Sequence, residues 1–521
     1  MKTNSATAPA DLYRHYLRQH CPDLEQETIA PFLTTLETAN WDEPESALDL
    51  NNFAVMALIE AEQCNDPELR AMNLDIAMEA LAQGADFDPL CAAHLALIHS
   101  MTGNSQAATE LAFATFLETL HPAHYSVEPS PLGLVYVPPE PLKQVQTELL
   151  ENLLQAENGY NQALLLLADV LCRSQLVFYN AYGQRFLQLV TQVSPDSVHR
   201  NLQLGLASLM QQRWEGLFHL QRAREIAPDY APAVQALYLA YRELQQTEIA
   251  ESWQQFGQTQ AQSDRAYAWA TLEHNSPFTY VPFNNLQLAV EPSFQSIVTI
   301  VLLANGDWFE AEMEFWREQL KPGMTVIDVG ANVGVYTFSA AQAVGELGRV
   351  IAIEPFSYCV QCLEETKRIN QLNQVTICAG AASDRVSKAR LSLHSASELN
   401  EVITEETPQS GDFEEIDCFS LDSLIDQENL QRVDWLKIDA EGHEMKVLAG
   451  SDRLLRQFQP GILYENVAAS SGDNTPVAEY LMSIGYRLFR YQPYLQTLIP
   501  IHAIEELQGS LNIVALPAKN A

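Results

Sequence analysis

Two short stretches of the chain combine residue types and spacings that could carry chemistry. In residues 325–334, Thr-Val-Ile-Asp-Val-Gly-Ala-Asn-Val-Gly, two glycines follow a β-branched run. In residues 435–444, Trp-Leu-Lys-Ile-Asp-Ala-Glu-Gly-His-Glu, charged side chains alternate with apolar ones. A glycine turn that leads into a helix lets a ligand approach bare backbone near the positive end of the helix dipole. The first stretch therefore predicts a cofactor site, and the second predicts a reacting centre.

The predicted cofactor site centres on the glycine turn and on the end of the next strand-like run. Its candidate residues in the turn are Asp328, Gly330, Ala331, Asn332 and Gly334. Glu354 ends the apolar run 349–353, about twenty residues after the turn. A carboxylate there can accept two hydrogen bonds from a ribose diol. The alternative for Glu354 is a carboxylate that only stabilises a helix N-terminus.

A third strand-like run, at 375–380, is followed by Ser383 and Asp384. These residues are predicted to line an adenine pocket, with Asp384 near the exocyclic amine. The alternative is a plain surface turn.

The predicted reacting centre consists of Lys437, Asp439, Glu441 and Glu465. A lysine within a buried strand is unfavourable unless it is paired, so Lys437 is expected to face a carboxylate or the cleft. Glu465, at the end of the run 461–466, is a candidate base or a group that positions the acceptor. The alternatives are a structural Lys–Asp ion pair behind the sheet and a fold-supporting role for Glu465.

No metal is predicted at this centre. His443 lies close in sequence to Glu441 and Glu444. Their spacing is not that of two ligands on one helix face at i and i+4, so it does not favour a metal site.

The elements that must position these residues alternate in type. Strand-like runs lie at 325–329, 349–353, 375–380, 433–439, 461–466, 486–490 and 511–516, and helical runs lie at 334–344, 357–370, 444–457 and 475–484. This alternation predicts a mainly parallel, doubly wound sheet. Ligands of such sheets bind beyond the carboxyl ends of the strands, which is where the candidate residues lie.

The N-terminal half is predicted to be all-α. Helical patterns fill residues 1–125 and 143–262, and a proline-rich connector occupies 126–142. Ser-Pro-Asp at 194–196 and Ala-Pro-Asp at 227–229 are offset by 33 residues, a period that resembles the tetratricopeptide repeat (TPR). Such repeats stack into a solenoid with a concave surface. The solenoid either docks a protein partner or acts as a spacer.

Residues 263–284 are predicted to form a linker before a catalytic domain at 285–521. The chain has 29 basic and 67 acidic side chains and a formal charge of −38, which argues against nucleic acid or an anionic membrane as its main partner. Its eight scattered cysteines favour a reducing cytoplasm, and Cys359 and Cys362 are expected to be ordinary helix residues. No run is apolar enough to predict a signal peptide or a membrane span.

Residues of about 285–516 resemble the FkbM family of S-adenosylmethionine-dependent methyltransferases. The resemblance rests on four blocks, which are residues 326–337, 353–355, 421–424 and 436–450. The first block is shared across class I methyltransferases, and the Lys-Ile-Asp-x-Glu-Gly-x-Glu pattern at 437–444 makes the combination specific. A little under half of the chain is covered, and the helical half lies outside.

The resemblance implies an α/β class I methyltransferase with a seven-stranded sheet and S-adenosyl-L-methionine as its cofactor. It also implies methyl transfer to a hydroxyl of a sugar, a glycan or a secondary metabolite. The turn from Asp328 to Gly334 would hold the methionine moiety, and Glu354 would bind the ribose. Orienting the acceptor contributes most to such a reaction, and a base adds roughly 10²–10⁴-fold. Asp439 is the first candidate for that base and Glu465 the second, with Lys437 orienting Asp439.

Two other functions fit parts of the pattern. A nicotinamide dehydrogenase would share the strand, turn and helix, but it would normally show Gly-x-Gly-x-x-Gly where this chain has Gly-x-Asn-x-Gly. A non-enzymatic repeat scaffold with a vestigial methyltransferase domain is the second alternative. An acidic insert at 398–415 departs from the family pattern and is predicted to form a lid or a loop.

Overall fold

A computed structural model describes most of the chain. The described residues are 9–22, 24–38, 44, 46–119, 130–138, 145–173, 181–272, 277–394, 400–403, 412–466 and 474–518. The chain divides into two compact units, Met1–Arg200 and Asn201–Ala521. This division falls inside the helical block predicted at 143–262. Within the described ranges, no helix has the length and apolar character needed to cross a membrane.

Unit 1 is built from helices, as predicted for this half of the chain. They are Pro9–His20, Gln26–Thr38, Ala47–Gln63, Pro67–Gly84, Pro89–Met101, Ser105–Thr119, Val145–Leu154, Gly159–Arg173 and Ala181–Val193. Asp-Pro pairs begin two of them, because proline suits the first helical position and the aspartate caps the free amides. The Asp88 carboxylate, for example, accepts a hydrogen bond from the Leu90 amide at 2.7 Å.

The described part of the proline-rich stretch, residues 130–138, forms no helix, strand or turn. Residues 133–138 are buried, which the composition did not predict: Leu134, Val135 and Tyr136 have no exposed surface. Residues 133–137 are called the strap below. Helix side chains, rather than a neighbouring strand, hold the strap's main chain.

Unit 2 begins with four helices, which lie in the stretch where the repeat was predicted. Val198–Met210, which spans the division, and Gly216–Ile226 are followed by Ala231–Glu243 and Thr247–Gln260. A Cβ atom on Gly216 would lie 2.5 Å from the Gly205 carbonyl oxygen, so the first two helices approach each other through their glycines. The third helix bonds to the segment that follows, since Arg242 donates to the Phe278 carbonyl at 3.0 Å.

The stretch 263–284, predicted to be a linker, contains ordered elements. A 3-10 helix, Arg265–Thr271, precedes strand β1, Thr279–Phe283, which forms an antiparallel hairpin with β2, Leu286–Val290. Helices Ile297–Asn305 and Glu312–Gln319 then lead to the main sheet.

The main sheet has eight strands. They are β3 Thr325–Val329, β4 Arg349–Glu354, β5 Val375–Ala379, β10 Trp435–Ile438, β11 Gly461–Glu465, β12 Tyr486–Gln492, β13 Thr497–Ile501 and β14 Asn512–Pro517. Their order is β13-β12-β14-β11-β10-β3-β4-β5, and the five strands from β11 to β5 are parallel. The predicted doubly wound, mainly parallel sheet is confirmed. Strand β13 is one more than the predicted seven and pairs as an edge hairpin with β12.

The central strands of this sheet are buried throughout, which indicates that helices cover both of its faces. Every residue of β3 and β10 is buried, as expected for parallel strands covered on both sides. The helices that connect or follow the strands are Val335–Val344, Ser357–Asn370, Leu421–Gln427, Glu444–Ala449, Asp452–Phe458 and Thr475–Ser483, with a 3-10 turn at Ile504–Leu507. The predicted helix 444–457 is thus two helices.

A second, smaller sheet joins the strands between β5 and β10. Its members are β6 Ala381–Ala382, β7 Ser387–Ser392, β8 Val402–Ile403 and β9 Phe413–Phe419, in the order β6-β9-β7-β8. The predicted acidic insert at 398–415 lies partly outside the described residues. Its described residues include β8 and the first residues of β9.

Candidate functional site

The carboxyl ends of β3, β4, β10 and β11 bring the predicted site residues together. Strand β10 lies between β3 and β11, and Lys437 pairs in register with Asp328 on one side and with Leu463 on the other. Parallel strands end at the same edge of a sheet, so the turns after β3 and β10 meet there.

The glycine turn fits closely against the chain that leaves β10. Gly330 has a φ of +76°, and a Cβ atom there would lie 1.6 Å from the Asp439 carbonyl oxygen. The amides of Gly330 and Ala331 both donate to the Ile353 carbonyl, at 3.0 and 3.1 Å. Glycine is therefore required at 330 both for its backbone angle and for the space it leaves. This contact fixes the glycine turn against Asp439.

Glu354 holds two turns through its carboxylate. One oxygen accepts from the Asn332 amide at 2.8 Å and the other from the Phe356 amide at 2.7 Å. Burial is the main reason that the pKa of Glu354 rises to about 7. A carboxylate offers about four lone-pair positions, so the two bonds leave acceptor capacity for a ligand diol.

Asp328 is buried inside the glycine-turn end of β3. Its Oδ2 accepts from the Thr337 hydroxyl at 2.6 Å, whereas no described residue donates to the buried Oδ1. Burial raises the pKa of Asp328, and Lys437 opposes that rise. An unpartnered buried acceptor costs free energy unless a ligand donates to it. Asp328 Oδ1 is thus suited to a cationic or N–H donor group of a cofactor.

Lys437 is 2% exposed and is compensated by acidic groups around it. Its Nζ donates to Asp439 Oδ2 at 2.7 Å and lies 4.4 Å from the centre of the Tyr336 ring. Burial alone would lower the pKa of Lys437, but Asp439, Asp328 and Glu310 together raise it above its usual value. The lysine therefore stays charged. The Asp439 side chain is 30% exposed, so a ligand at this edge of the sheet could contact it.

Glu310 belongs to this centre although no sequence pattern indicated it. Its carboxylate accepts from the Tyr336 hydroxyl at 2.5 Å, from Trp308 Nε1 at 2.9 Å and from Asn512 Nδ2 at 2.9 Å. Burial raises its pKa, and Lys437 counteracts the rise. Glu310 precedes the sheet, so a search of strand ends could not find it. The sequence offered one indirect signal: a lysine in a buried strand, such as Lys437, needs nearby carboxylates to compensate its charge.

Three carboxylates converge at this edge of the sheet. Oxygen atoms of Asp439, Glu441 and Glu465 lie within 4.8 Å of one another, a spacing that could hold a metal ion. Burial, followed by Asp439, raises the pKa of Glu441 to about 8. Burial and the charges of Asp439 and Glu441 likewise raise the pKa of Glu465. This trio differs from His443, Glu441 and Glu444, the residues whose sequence spacing was examined above for a metal site.

His443 and Glu444 instead shape the turn after β10. One oxygen of the Glu444 carboxylate accepts from the amides of Ala440 and Gly442, at 3.0 and 3.1 Å, and the other accepts from Asn474 at 3.0 Å. Glu441 has a φ of +48° within this turn. His443 Nε2 lies 3.0 Å from the Ser383 hydroxyl. The residues after β10 thus have three roles. Asp439 and Glu441 belong to the carboxylate trio, Glu444 holds the turn, and His443 contacts the neighbouring loop.

Ser383 and Asp384 lie on that neighbouring loop. The Ser383 amide donates to the Phe419 carbonyl at 2.8 Å, and its hydroxyl lies 3.2 Å from Asp384 Oδ1. Asp384 forms a 3.6 Å ion pair with Arg385. The structure therefore brings Ser383 to the turn after β10, through His443.

Comparison with known proteins identifies the domain that holds this centre. Residues 328–488 match the family model described as "Methyltransferase FkbM domain". A search of curated proteins found no match. The solved structures that resemble the chain include an FkbM methyltransferase from Methylobacillus flagellatus KT, with a TM-score of 0.26 and 16% identity over 42% of this chain and 52% of that one. The chain thus spans about half of that protein.

Two further solved structures that resemble the chain are methyltransferases. A SAM-dependent methyltransferase from Aquifex aeolicus has a TM-score of 0.23 and 17% identity, covering 40% of this chain and 89% of that one. An O-methyltransferase from Bacillus cereus in complex with SAH has a TM-score of 0.24 and 14% identity, covering 41% of this chain and 83% of that one.

The family match confirms three predictions. The chain carries an FkbM-type methyltransferase domain, its α/β sheet is a methyltransferase sheet, and S-adenosyl-L-methionine is the cofactor. The match favours this cofactor over the nicotinamide considered as an alternative. The residues present fit it, since Asp328 Oδ1 lacks a donor and Glu354 retains acceptor capacity.

Replacing Gly330 tests the contact between the glycine turn and Asp439. Gly330→Ala is expected to abolish binding of S-adenosylhomocysteine, measured by calorimetry, because the new Cβ cannot fit 1.6 Å from the Asp439 carbonyl oxygen. Gly323→Ala is the matched control, since Gly323 has a φ of +84° and no atom within 4 Å of the place that a Cβ would occupy. That control loses only roughly 1–2 kcal/mol of stability through backbone strain. Unchanged binding by Gly330→Ala would contradict the geometry.

The pKa of Glu354 predicts how cofactor affinity depends on pH. The ionised carboxylate accepts the loop amides, so protonation below about pH 7 disfavours the binding-competent turn. The affinity for S-adenosylhomocysteine is expected to fall about tenfold from pH 8 to pH 6, as the ionised fraction falls. Glu354→Gln removes this titration and should bind more weakly with a flatter pH profile. Identical pH profiles for the two proteins would refute this account.

Proposed function

We propose that the chain transfers the methyl group of S-adenosyl-L-methionine to a hydroxyl oxygen, with Asp439 as the base. The observation that carries this proposal is the position of Asp439. Its carboxylate is held at 2.7 Å by a buried lysine and is 30% exposed, while its carbonyl packs against the glycine turn. The base and the cofactor turn are thus fixed to each other. The acceptor class, inferred from the family resemblance, is a sugar, a glycan or a secondary metabolite.

The chemistry requires little more than orientation and one proton transfer. The bound cofactor supplies a methyl group on an electrophilic sulfonium. The protein's part is to place the acceptor oxygen in line and to remove its proton, and the second of these adds roughly 10²–10⁴-fold. Asp439 receives the hydroxyl proton. Lys437 donates to the other side of the same carboxylate and so fixes its orientation.

Asp439 is favoured over Glu465 as the base because of their surroundings. Burial and neighbouring carboxylates raise the pKa of Glu465, so its carboxyl tends to hold a proton at neutral pH. A protonated carboxyl donates a hydrogen bond but accepts no proton. Glu465 and Glu441 are therefore assigned to positioning the acceptor beside Asp439.

Roles for the cofactor residues follow the same geometry. The turn formed by Gly330, Ala331, Asn332 and Gly334, with Asp328 beneath it, holds the methionine moiety. Glu354 accepts from the ribose diol with the lone pairs that the loop amides leave. Ser383 and Asp384 line the adenine side of the pocket.

The helical repeats are assigned to docking, either of the acceptor-bearing molecule or of a partner protein. Stacked helix pairs present a surface larger than a small acceptor needs, which supports a macromolecular partner. The formal charge of −38 favours a partner with basic groups and disfavours nucleic acid.

Asp439→Asn tests the role of the base. The variant should bind S-adenosylhomocysteine within about threefold of the wild-type affinity and lose at least about a hundredfold in methyl transfer, in line with the usual worth of a general base. Transfer is followed with a labelled methyl donor and an extract of hydroxylated metabolites, which also identifies the acceptor. Asp417→Asn is the matched control, because the Asp417 side chain is 71% exposed in an ion pair with Lys388. Wild-type turnover by Asp439→Asn would refute the assignment.

A further inference from the structure

Among the described residues, helix side chains bind the main chain of the strap in unit 1. The amide and carbonyl of Gly133 bond to Gln162 at 3.0 and 3.1 Å. The Leu134 amide donates to Asn52 at 2.8 Å, and its carbonyl accepts from Asn51 at 3.0 Å. Gly133 and Leu134 thus each have a hydrogen-bonded amide and a hydrogen-bonded carbonyl.

Two tyrosines and a histidine continue the pattern along the strap. The Tyr13 hydroxyl bonds to both the amide and the carbonyl of Val135 at 3.2 Å, and the Tyr16 hydroxyl does the same for Val137 at 2.8 and 2.9 Å. The Tyr136 amide donates to His94 Nε2 at 3.2 Å. The six recognising side chains are called the clamp, and they are Tyr13, Tyr16, Asn51, Asn52, His94 and Gln162.

The clamp side chains are positioned to form hydrogen bonds with a peptide main chain. Its side chains are 0–1% exposed. His94 Nε2 accepts from the strap, so its proton sits on Nδ1, which bonds to Asn51 at 2.8 Å and to the Leu90 carbonyl at 3.1 Å. Burial lowers the pKa of His94 to about 4 and keeps it neutral. Without an extended chain in place, several buried polar groups would lose partners at about 1–3 kcal/mol each.

The strap side chains define what such a chain must look like. A Cβ on Gly133 would lie 2.5 Å from Leu90 Cδ2 and 3.0 Å from Asn51 Nδ2, so glycine fits best there. Leu134 and Val135 are fully buried, and the Tyr136 ring stacks 5.7 Å from the Tyr16 ring. The pocket thus accepts glycine, two aliphatic residues, an aromatic residue and a β-branched one, none of them charged.

We propose that the clamp is a binding site for an extended apolar peptide of this pattern, and that the strap is its built-in occupant. A segment of a partner protein takes the strap's place, because the clamp bonds to main-chain groups that any extended peptide presents. Basic residues beside that segment add attraction to a chain of charge −38. This inference rests on the docking role proposed for the helical repeats, and it specifies the ligand that they dock. Peptide binding by the clamp requires no methyl transfer, so the proposal of peptide binding and the proposal of methyl transfer can fail independently.

The test uses the full-length chain and a fluorescein-labelled peptide, Ser-Pro-Leu-Gly-Leu-Val-Tyr-Val-Pro, which copies residues 130–138. Tyr136→Ala weakens the strap as a competitor, so this variant should bind the peptide at least tenfold more tightly than the wild-type chain does. The control peptide is N-methylated at its second leucine and at its tyrosine, which removes the donors to Asn52 and His94. It should not bind. Absence of saturable binding to the variant, or equal binding of the methylated peptide, would overturn the proposal.

Hydrogen exchange of the wild-type chain covers the case in which Tyr136→Ala does not fold. The strap amides should exchange through an opening that leaves the amides of helix Pro89–Met101 protected. Exchange of both only on global unfolding would make the strap a permanent core segment and refute the proposal. Light scattering is the remaining check: a dimer that forms by strap exchange would assign the site to a second copy of this chain and overturn the partner assignment.

Discussion

The methyltransferase domain of this protein depends on one buried charge. Lys437 lies in the centre of a strand that is covered on both faces, where an unpaired ammonium would be strongly unfavourable. Asp439, Asp328 and Glu310 compensate it from three separate segments of the chain. These three segments must therefore come together for the domain to fold. The same requirement places one carboxylate, that of Asp439, at the edge of the cleft.

The predicted cofactor turn and the proposed reacting centre are in direct contact. The Asp439 carbonyl occupies the space that a side chain on residue 330 would need. The glycine turn therefore packs directly against the main chain of Asp439. Glu354 then joins the turn after β3 to the turn after β4 through two amides. The same set of contacts thus shapes the cofactor turn and orients Asp439, the proposed base, which suits a reaction governed by alignment.

Much of the catalytic half could be predicted because its signals are local. The glycine spacing at 330 and 334 and the alternating charges at 437–441 each lie within a few residues, and strand alternation indicates which chain ends meet. Glu310 could not be found in this way, since only the folded chain brings it to Tyr336. The convergence of Glu465 with Asp439 and Glu441 similarly depends on the order of strands, which the pattern does not fix.

The strap shows the same limit in the helical half. Prolines at 131 and 138 indicated a break in the helical pattern, and residues 130–138 form no helix. Nothing local indicated that residues as distant as Tyr13 and Gln162 would bond to it, because those contacts are set by how the helices stack. A proline-rich segment usually runs over the surface, and here its apolar core, Leu-Val-Tyr-Val, reverses that tendency.

The central claim is that Lys437 and Asp439 act as one unit, and a double-mutant cycle on the methyl-transfer rate tests it most directly. The rate is measured with saturating cofactor for Lys437→Met, Asp439→Asn and the double variant. If the lysine acts only by holding the aspartate, the double variant should be no slower than Asp439→Asn alone. Losses that multiply would show two independent contributions and contradict the account.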